Sequence, residues 1–110
     1  MKPVRFMGSA KVDLSAFPDA ARSCAGHDLF LVQEGFDPES WKPMPIVGMG
    51  AKEIRVHRAE GAFRVIYVET FPSAVYVLHA FQKKTRATSR RDVKLARRRY
   101  REALAIEESV

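Results

Sequence analysis

Apolar residues recur with the spacing of helices in the first third of the chain. A short strand is predicted before them at Val4–Phe6. It could include Met7, and it ends at Gly8 and Ser9. Asp13 is predicted as the N-cap of a brief helix over 14–17, and Pro18 as the first residue of a second helix that runs to about Glu34. Five residues lie at helical spacing along that second helix: Ala21, Cys24, Ala25, Leu29 and Val32.

Glycine and proline end this helix and fill the segment after it. Gly35 suits the position that follows the last helical turn. Residues 36–50 contain three prolines and two further glycines, so we expect a loop there. Trp41 within it has two candidate roles, stacking on a ligand or covering the core, and the second is favoured because a large ring in a loop usually buries itself.

From residue 51 onward the apolar positions alternate with a period of two. Three strands rich in valine, isoleucine and aromatic residues are predicted at Ala51–Arg58, Ala62–Glu69 and Ala74–Phe81. A turn at Glu60-Gly61 and a four-residue loop over 70–73 join them. Helices first and hairpin-linked strands afterwards indicate the α+β class.

The chain is predicted to end in a third helix. Ser89-Arg90-Arg91-Asp92 has the form of a capping box, and the helix should run to about Glu108. Its apolar stripe consists of Val93, Ala96, Tyr100 and Leu104. The predicted order is β-α-α-β-β-β-α, an antiparallel sheet with two N-terminal helices on one face and a basic C-terminal helix.

Composition narrows the class of protein. With 110 residues, 46% of them hydrophobic and 29% charged, the chain is expected to form one globular domain over residues 1–110 rather than a disordered polymer. No apolar run reaches the length of a membrane span, and no apolar stretch follows the basic N-terminus. The single cysteine excludes an internal disulfide framework and a cysteine zinc site. We expect a cytoplasmic protein without a metal or cofactor.

Charge is concentrated near the C-terminus. Between residues 83 and 101, ten basic residues face one acidic residue, Asp92, which gives this segment a net charge of +9 and leaves −3 on the rest. The basic residues are Lys83, Lys84, Arg86, Arg90, Arg91, Lys94, Arg97, Arg98, Arg99 and Arg101. Solvated helix faces usually mix both signs, so this segment indicates a surface that binds a polyanion or docks an acidic protein.

Turn lengths predict which strand residues lie opposite one another. With the two turns given above, His57 pairs with Arg64, and Arg64 pairs with His79, in a row that crosses three strands. Alternation then places six polar residues on one face: Glu53, Arg55, His57, Arg64, His79 and Lys83. The opposite face, which the two N-terminal helices should cover, carries Ile54, Val56, Phe63, Val65, Tyr67, Tyr76 and Leu78. A slip of one residue in either turn would scatter the row.

Such a row suits cleavage of RNA without a metal ion. That reaction needs a base for the 2′-hydroxyl, a cation for the charge on phosphorus and an acid for the leaving 5′-oxygen. Arginine holds phosphate oxygens in bidentate fashion, and histidine or a lysine crowded by cations can exchange protons near neutral pH. His57 and His79 fit half-buried structural positions equally well, and Arg64 also fits an ion pair with Glu53.

Four segments share their pattern, in order, with a known family. They are WKPMPIVGMGAKEIRVH, FRVIYVE, YVLHAFQKKT and ARRRYREA. From about Asp13 to Leu104 the chain resembles the phage-derived, HigB-like branch of the RelE/ParE toxin superfamily. The resemblance implies the RelE-like fold and the toxin of a type II toxin–antitoxin pair, in which many members enter the ribosomal A site and cut messenger RNA.

The resemblance and the predicted register together nominate the site. Arg64 matches an arginine frequent on the third strand of that superfamily, and Lys83 and Lys84 match its basic stretch after the last strand. The residues nominated for catalysis are Arg64, His79, Lys83 and Lys84. Those nominated for RNA binding are Arg55, His57, Arg86, Arg90, Arg91, Lys94, Arg97 and Arg98. The catalytic tyrosine that RelE has near its C-terminus finds no counterpart, because Tyr100 lies on the apolar stripe, so the general base stays open between His79, His57 and Lys83.

Three functions follow as alternatives. The first is a ribosome-dependent endoribonuclease, for which alanine at both Arg64 and Lys83 should abolish cleavage with the melting temperature nearly unchanged. The second is a ParE-like inhibitor that binds DNA gyrase, and the third is an inactive prophage remnant that only binds nucleic acid. A toxin also implies an antitoxin, with an acidic segment that wraps it and a helix-turn-helix domain.

Overall fold

Five strands form one sheet with helices on both of its faces. The computed structural model describes residues 1–109. Its elements are β1 (Val4–Phe6), α1 (Ala10–Ser15), α2 (Asp19–Gln33), β2 (Trp41–Pro43), β3 (Ala51–Arg58), β4 (Gly61–Val68), β5 (Val75–Lys83) and α3 (Arg90–Glu108). The strand order is β1-β5-β4-β3-β2; β1 runs parallel to β5, and the other neighbours are antiparallel. The predicted α+β, RelE-like arrangement is confirmed.

Each face of the sheet buries its own apolar cluster. The first cluster joins α1 and α2 to the sheet through Leu14, Phe17, Leu29, Ile54, Val56, Phe63, Val65 and Tyr67, among others. The second lies beneath α3 and the loop before β3, and it includes Met44, Val47, Ile66, Val68, Tyr76, Leu78, Ala96 and Ala103. The predicted core face is therefore right for β3 and β4, but wrong for Tyr76 and Leu78.

A β-bulge in β5 explains that error. Ile66 of β4 pairs with His79, whereas the next residue, Tyr67, pairs with Val77, so Leu78 is one extra residue on β5. An extra residue inverts the facing of the strand before it. Val77 accordingly packs with Tyr67 beneath α1 and α2. Leu78 and His79 both turn toward α3, where His79 contacts Asp92.

Local signals placed the N-terminal helices within a few residues. The first helix begins at Ala10 with Ser9 at the N-cap, four residues before the predicted Asp13. The Asp13 carboxylate lies in the first turn and accepts a hydrogen bond from the Ser9 hydroxyl at 2.7 Å. Pro18 occupies the N-cap of α2, one position earlier than predicted. Gly35 follows the last turn with φ +90°, as its position predicted.

The segment 36–50 is not only loop. Trp41–Pro43 forms β2 and pairs with residues 52–54 at the edge of β3. The ring of Trp41 is half-buried, with the Lys52 ammonium 4.6 Å from its centre, and it belongs to neither apolar cluster. The prediction that this ring covers the core is wrong.

Helix α3 begins as its capping box predicts. The Ser89 hydroxyl accepts a hydrogen bond from the Asp92 amide at 3.1 Å and donates one to the Asp92 carboxylate at 2.6 Å. The face that α3 buries is rotated from the predicted stripe: Ala96, Arg99 and Ala103 are buried, whereas Val93, Tyr100 and Leu104 are half-buried. No helix within residues 1–109 has the length and apolarity needed to cross a membrane.

Gly48 is expected to tolerate no side chain. A Cβ there would lie 2.6 Å from atoms of the Tyr100 ring, whose hydroxyl donates to the Met49 carbonyl at 2.7 Å. Gly48→Ala should displace the ring and lower the free energy of unfolding by about 1–3 kcal/mol in urea titrations. Gly26→Ala is the matched control: its Cβ would meet no atom within 4 Å, and in a helix it should stabilise by about 0.5–1 kcal/mol. Equal stability of the two variants would contradict this account.

Candidate active site and nucleic-acid interface

The turn between β3 and β4 lies one residue earlier than predicted. Arg58 pairs with Gly61, so Ala59 and Glu60 form the reversal. Arg64 consequently lies opposite Arg55 on β3 and opposite Phe81 on β5. The predicted row of His57, Arg64 and His79 is therefore wrong.

The same polar residues instead occupy three successive rows. His57, Ala62 and Lys83 form the first row, Arg55, Arg64 and Phe81 the second, and Glu53, Ile66 and His79 the third. Each pairing moved by an even number of residues, which preserves the side of the sheet that a residue faces. All six polar residues predicted to share a face therefore do so, on the side that carries α3.

The centre of this face is a buried ion pair. Arg64 and Glu53 are each 1% exposed, with Nε 3.5 Å from Oε1. Arg64 Nη1 also donates to the Phe63 carbonyl at 2.9 Å, and the Thr88 hydroxyl donates to Glu53 at 2.8 Å. Burial lowers the pKa of Arg64, and Glu53 opposes that shift. The ion-pair alternative for Arg64 is thus the arrangement found, and Thr88 ties the segment before α3 to it.

His79 is also withdrawn from the surface. It is 6% exposed and stacks on Phe81, with ring centres 4.7 Å apart. Its Nε2 lies 2.7 Å from the Asp92 carboxylate, and its Nδ1 is buried with no hydrogen-bond partner. Asp92, which the sequence marked only as part of a capping box, therefore fixes this imidazole and joins α3 to the sheet.

Three accessible basic side chains of this face lie around Ala62, and the exposed Lys42 lies on the same face beside Glu53. His57 is exposed, and Arg55 and Lys83 are half-buried. Partial burial lowers the pKa of Lys83, nearby Arg64 and Arg55 lower it further, and Glu53 opposes them. A lysine whose ammonium form is disfavoured in this way gives up its proton more readily than an ordinary lysine.

Helix α3 adds an outward basic surface beside these rows. One outward face of the helix presents Arg90, Arg91, Lys94, Leu95, Arg98 and Arg101 together. Arg97 is exposed on the same helix, and Lys84 and Arg86 are exposed in the segment that precedes it. Arg99 is the exception among the ten bases: it is buried and donates to the Leu78 carbonyl and to Ser9 Oγ, both at 3.0 Å.

One comparison with known proteins gives a match. A family model described as "Phage derived protein Gp49-like (DUF891)" matches residues 12–101. No curated protein matches the chain. The match covers α2, all of the sheet except β1, and most of α3, and thus every row of polar residues described above.

Proposed function

From the premise that this chain belongs to the Gp49-like family of phage-derived proteins, we propose that it is the toxin of a type II toxin–antitoxin pair. We further propose that it cuts messenger RNA on the ribosome without a metal ion. The observation that carries the proposal is the row of His57, Ala62 and Lys83, with Arg55 in the next row. It provides two proton-transfer groups and a phosphate ligand on one accessible face.

Ala62 leaves room for a phosphodiester between the two outer residues of the row. Because neighbouring strands lie about 4.8 Å apart, the backbones of His57 and Lys83 are about 10 Å apart. Side chains that lean inward from both ends can reach opposite sides of one phosphorus atom. The small methyl group of Ala62 does not fill the space between them.

The reaction assigns one step to each group. The neutral amine of Lys83 takes the 2′-hydroxyl proton, and the 2′-oxygen attacks phosphorus. The bond from phosphorus to the 5′-oxygen breaks, and protonated His57 gives its proton to that oxygen. The products are a 2′,3′-cyclic phosphate and a 5′-hydroxyl. Arg55 pairs with the phosphate oxygens as negative charge grows on them.

The remaining nominated residues take supporting roles. Arg64 lowers the pKa of Lys83 from beneath the surface, and His79 positions α3 through Asp92. Contacts with the RNA backbone fall to the exposed bases: Lys84, Arg86, Arg90, Arg91, Lys94, Arg97 and Arg98. The same positive surface would attract an acidic segment of the antitoxin, which would then block RNA by occupying its place. Because both proposed ligands are cytoplasmic, we propose that the protein acts in the cytoplasm.

Mapping of RNA ends tests this function against gyrase inhibition. The protein is added to a purified translation reaction, and the 5′ ends of the message are mapped with and without ribosomes. We expect new 5′-hydroxyl ends that require ribosomes. Intact messages together with growth arrest that gyrase overproduction relieves would instead identify a gyrase inhibitor.

A further inference from the structure

A second hollow lies at the outer edge of β3, outside the rows described above. Its volume is about 220 Å³, less than the usual 300–1,000 Å³ of drug-sized ligand pockets. Strand β2 pairs with residues 52–54, and the Arg55 amide donates to the Ser40 carbonyl at 2.9 Å, so the edge of β3 is open from residue 56 to Arg58. Helix α2 and the segment before β2 complete the walls. The lining residues are Cys24, Asp28, Glu39, Ser40, Arg55, Val56, His57 and Arg58.

The inner wall carries a carboxylate with weak partners. Asp28 is 2% exposed, yet its oxygens have only the Glu39 amide at 3.4 Å and the Cys24 thiol at 4.0 Å. Burial raises the pKa of Asp28 from its ordinary value, and the nearby charge of Glu39 adds to that rise. A buried carboxylate with so few donors is short of the hydrogen bonds that usually compensate burial. It can accept donors from a ligand.

The outer wall carries one guanidinium. Arg58 donates to the neighbouring His57 carbonyl, and its charge opposes the raised pKa of both Cys24 and Asp28. Glu39 also lines the hollow, whereas the Arg55 side chain faces α3 with the other polar residues of its row. The hollow therefore combines a buried acceptor with a guanidinium at its rim, an arrangement that matches a polar group bearing adjacent donors and attached to an anion.

We propose that this hollow binds a guanine base of the RNA substrate, with Asp28 accepting its N1–H and N2–H groups and Arg58 contacting the adjoining phosphate. The proposal rests on the function proposed above for the nature of the substrate. Among the four RNA bases, only guanine presents two adjacent donors on its Watson–Crick edge. Adenine and cytosine would direct a ring acceptor at the carboxylate, and uracil would flank its single donor with two acceptors.

A peptide arginine carries the same pair of donors as guanine. It would lie next to the Arg58 guanidinium, whereas a nucleotide brings a phosphate that Arg58 attracts. The nucleotide follows from the RNA substrate proposed above, and an arginine compound is the competing ligand.

The hollow reaches the edge of the proposed cleavage row. His57 lines the hollow and belongs to that row, although its side chain faces α3 and those of Val56 and Arg58 face α2. A guanosine bound here would hold the message at the edge of β3 where that row ends.

Binding of mononucleotides to the full chain tests the proposal without RNA cleavage. The four nucleoside 5′-monophosphates and N-acetylarginine amide are titrated into isotope-labelled protein, and amide shifts are followed by NMR. We expect guanosine monophosphate to shift residues 24–28 and 55–58 and to bind at least tenfold more tightly than the other ligands. Asp28→Asn should reduce its affinity at least tenfold. This variant should fold, because burial already disfavours the charged carboxylate that it removes.

Asp19→Asn is the control, since Asp19 lies on the same helix and is exposed. It should leave the affinity unchanged. Equal affinity for all four nucleotides, tighter binding of the arginine compound, or shifts confined to Lys83 and α3 would each overturn the guanine hollow. Guanosine binding by a protein that leaves messages intact would refute the nuclease and keep the hollow. Cleavage by a protein that does not prefer guanosine monophosphate would do the reverse.

Discussion

Lys83→Ala should lower the rate of message cleavage about 10²- to 10⁴-fold, the usual contribution of a positioned acid or base. The variant should keep its free energy of unfolding within about 0.5 kcal/mol of the parent protein, because no buried partner depends on this half-buried side chain. Single-turnover cleavage on stalled ribosomes measures the first effect, and urea titration measures the second. Lys11→Ala, an exposed lysine on α1, should change neither quantity.

Lys83→Arg separates proton transfer from charge. Arginine stays protonated at every working pH, so it can contact phosphate but cannot take the 2′-hydroxyl proton. We expect this variant to bind RNA like the parent protein and to cut as poorly as the alanine variant. In the parent protein, cleavage needs a neutral Lys83 amine and a protonated His57 at the same time, so the rate should pass through a maximum as the pH rises. The limb that depends on Lys83 should lie below the ordinary pKa of lysine. A Lys83→Arg protein that cuts at the parental rate would remove Lys83 from proton transfer.

The sequence predicts faces better than it predicts neighbours. Glu53, Arg55 and Arg64 lie on one side of the sheet for any pairing that shifts by an even number of residues, so the side was predicted correctly although the turn was misplaced. Their cross-strand partners were predicted wrongly. The turn lies at Ala59-Glu60, whereas Gly61 gave the stronger local turn signal. The composition of the basic face was thus predictable, whereas its geometry depends on the tertiary structure.

Long-range contacts account for the other errors. Leu78 carries no local mark of a bulge, since its bulged position depends on pairing with β4 and packing beneath α3. The sequence predicts Arg99 to be a surface base like its neighbours, whereas in the structure it donates to the Leu78 carbonyl and the Ser9 hydroxyl. Asp92 reads as a helix cap, and its contact with His79 spans 13 residues of sequence. Such groupings arise from tertiary structure and leave no periodic trace.

The hollow proposed to bind guanine also could not be predicted from the sequence. Asp28, Glu39 and Arg58 come from a helix, a connecting segment and a strand, so no motif joins them in the sequence. Only the short length of β2 leaves this edge of β3 open. An extended β2 would cover the edge and fill the site.

Arg64→Ala should destabilise the protein by about 3–5 kcal/mol, because it leaves the Glu53 carboxylate buried and without its cation. This replaces the sequence-based prediction that alanine at Arg64 and Lys83 leaves the melting temperature nearly unchanged. Loss of cleavage in that double variant would therefore report unfolding as much as chemistry, and Lys83 alone is the sharper test.

Replacing both members of the pair should restore the lost stability. In Arg64→Met with Glu53→Leu no charge is left buried, and apolar side chains of similar volume fill the space next to Ile66 and Phe81, so the free energy of unfolding should return to within about 1 kcal/mol of the parent value. Urea titration of the two single variants and the double variant measures the coupling. If Arg64→Ala alone unfolds at the parental urea concentration, the pair is solvated in solution, and Arg64 is then free to contact phosphate directly.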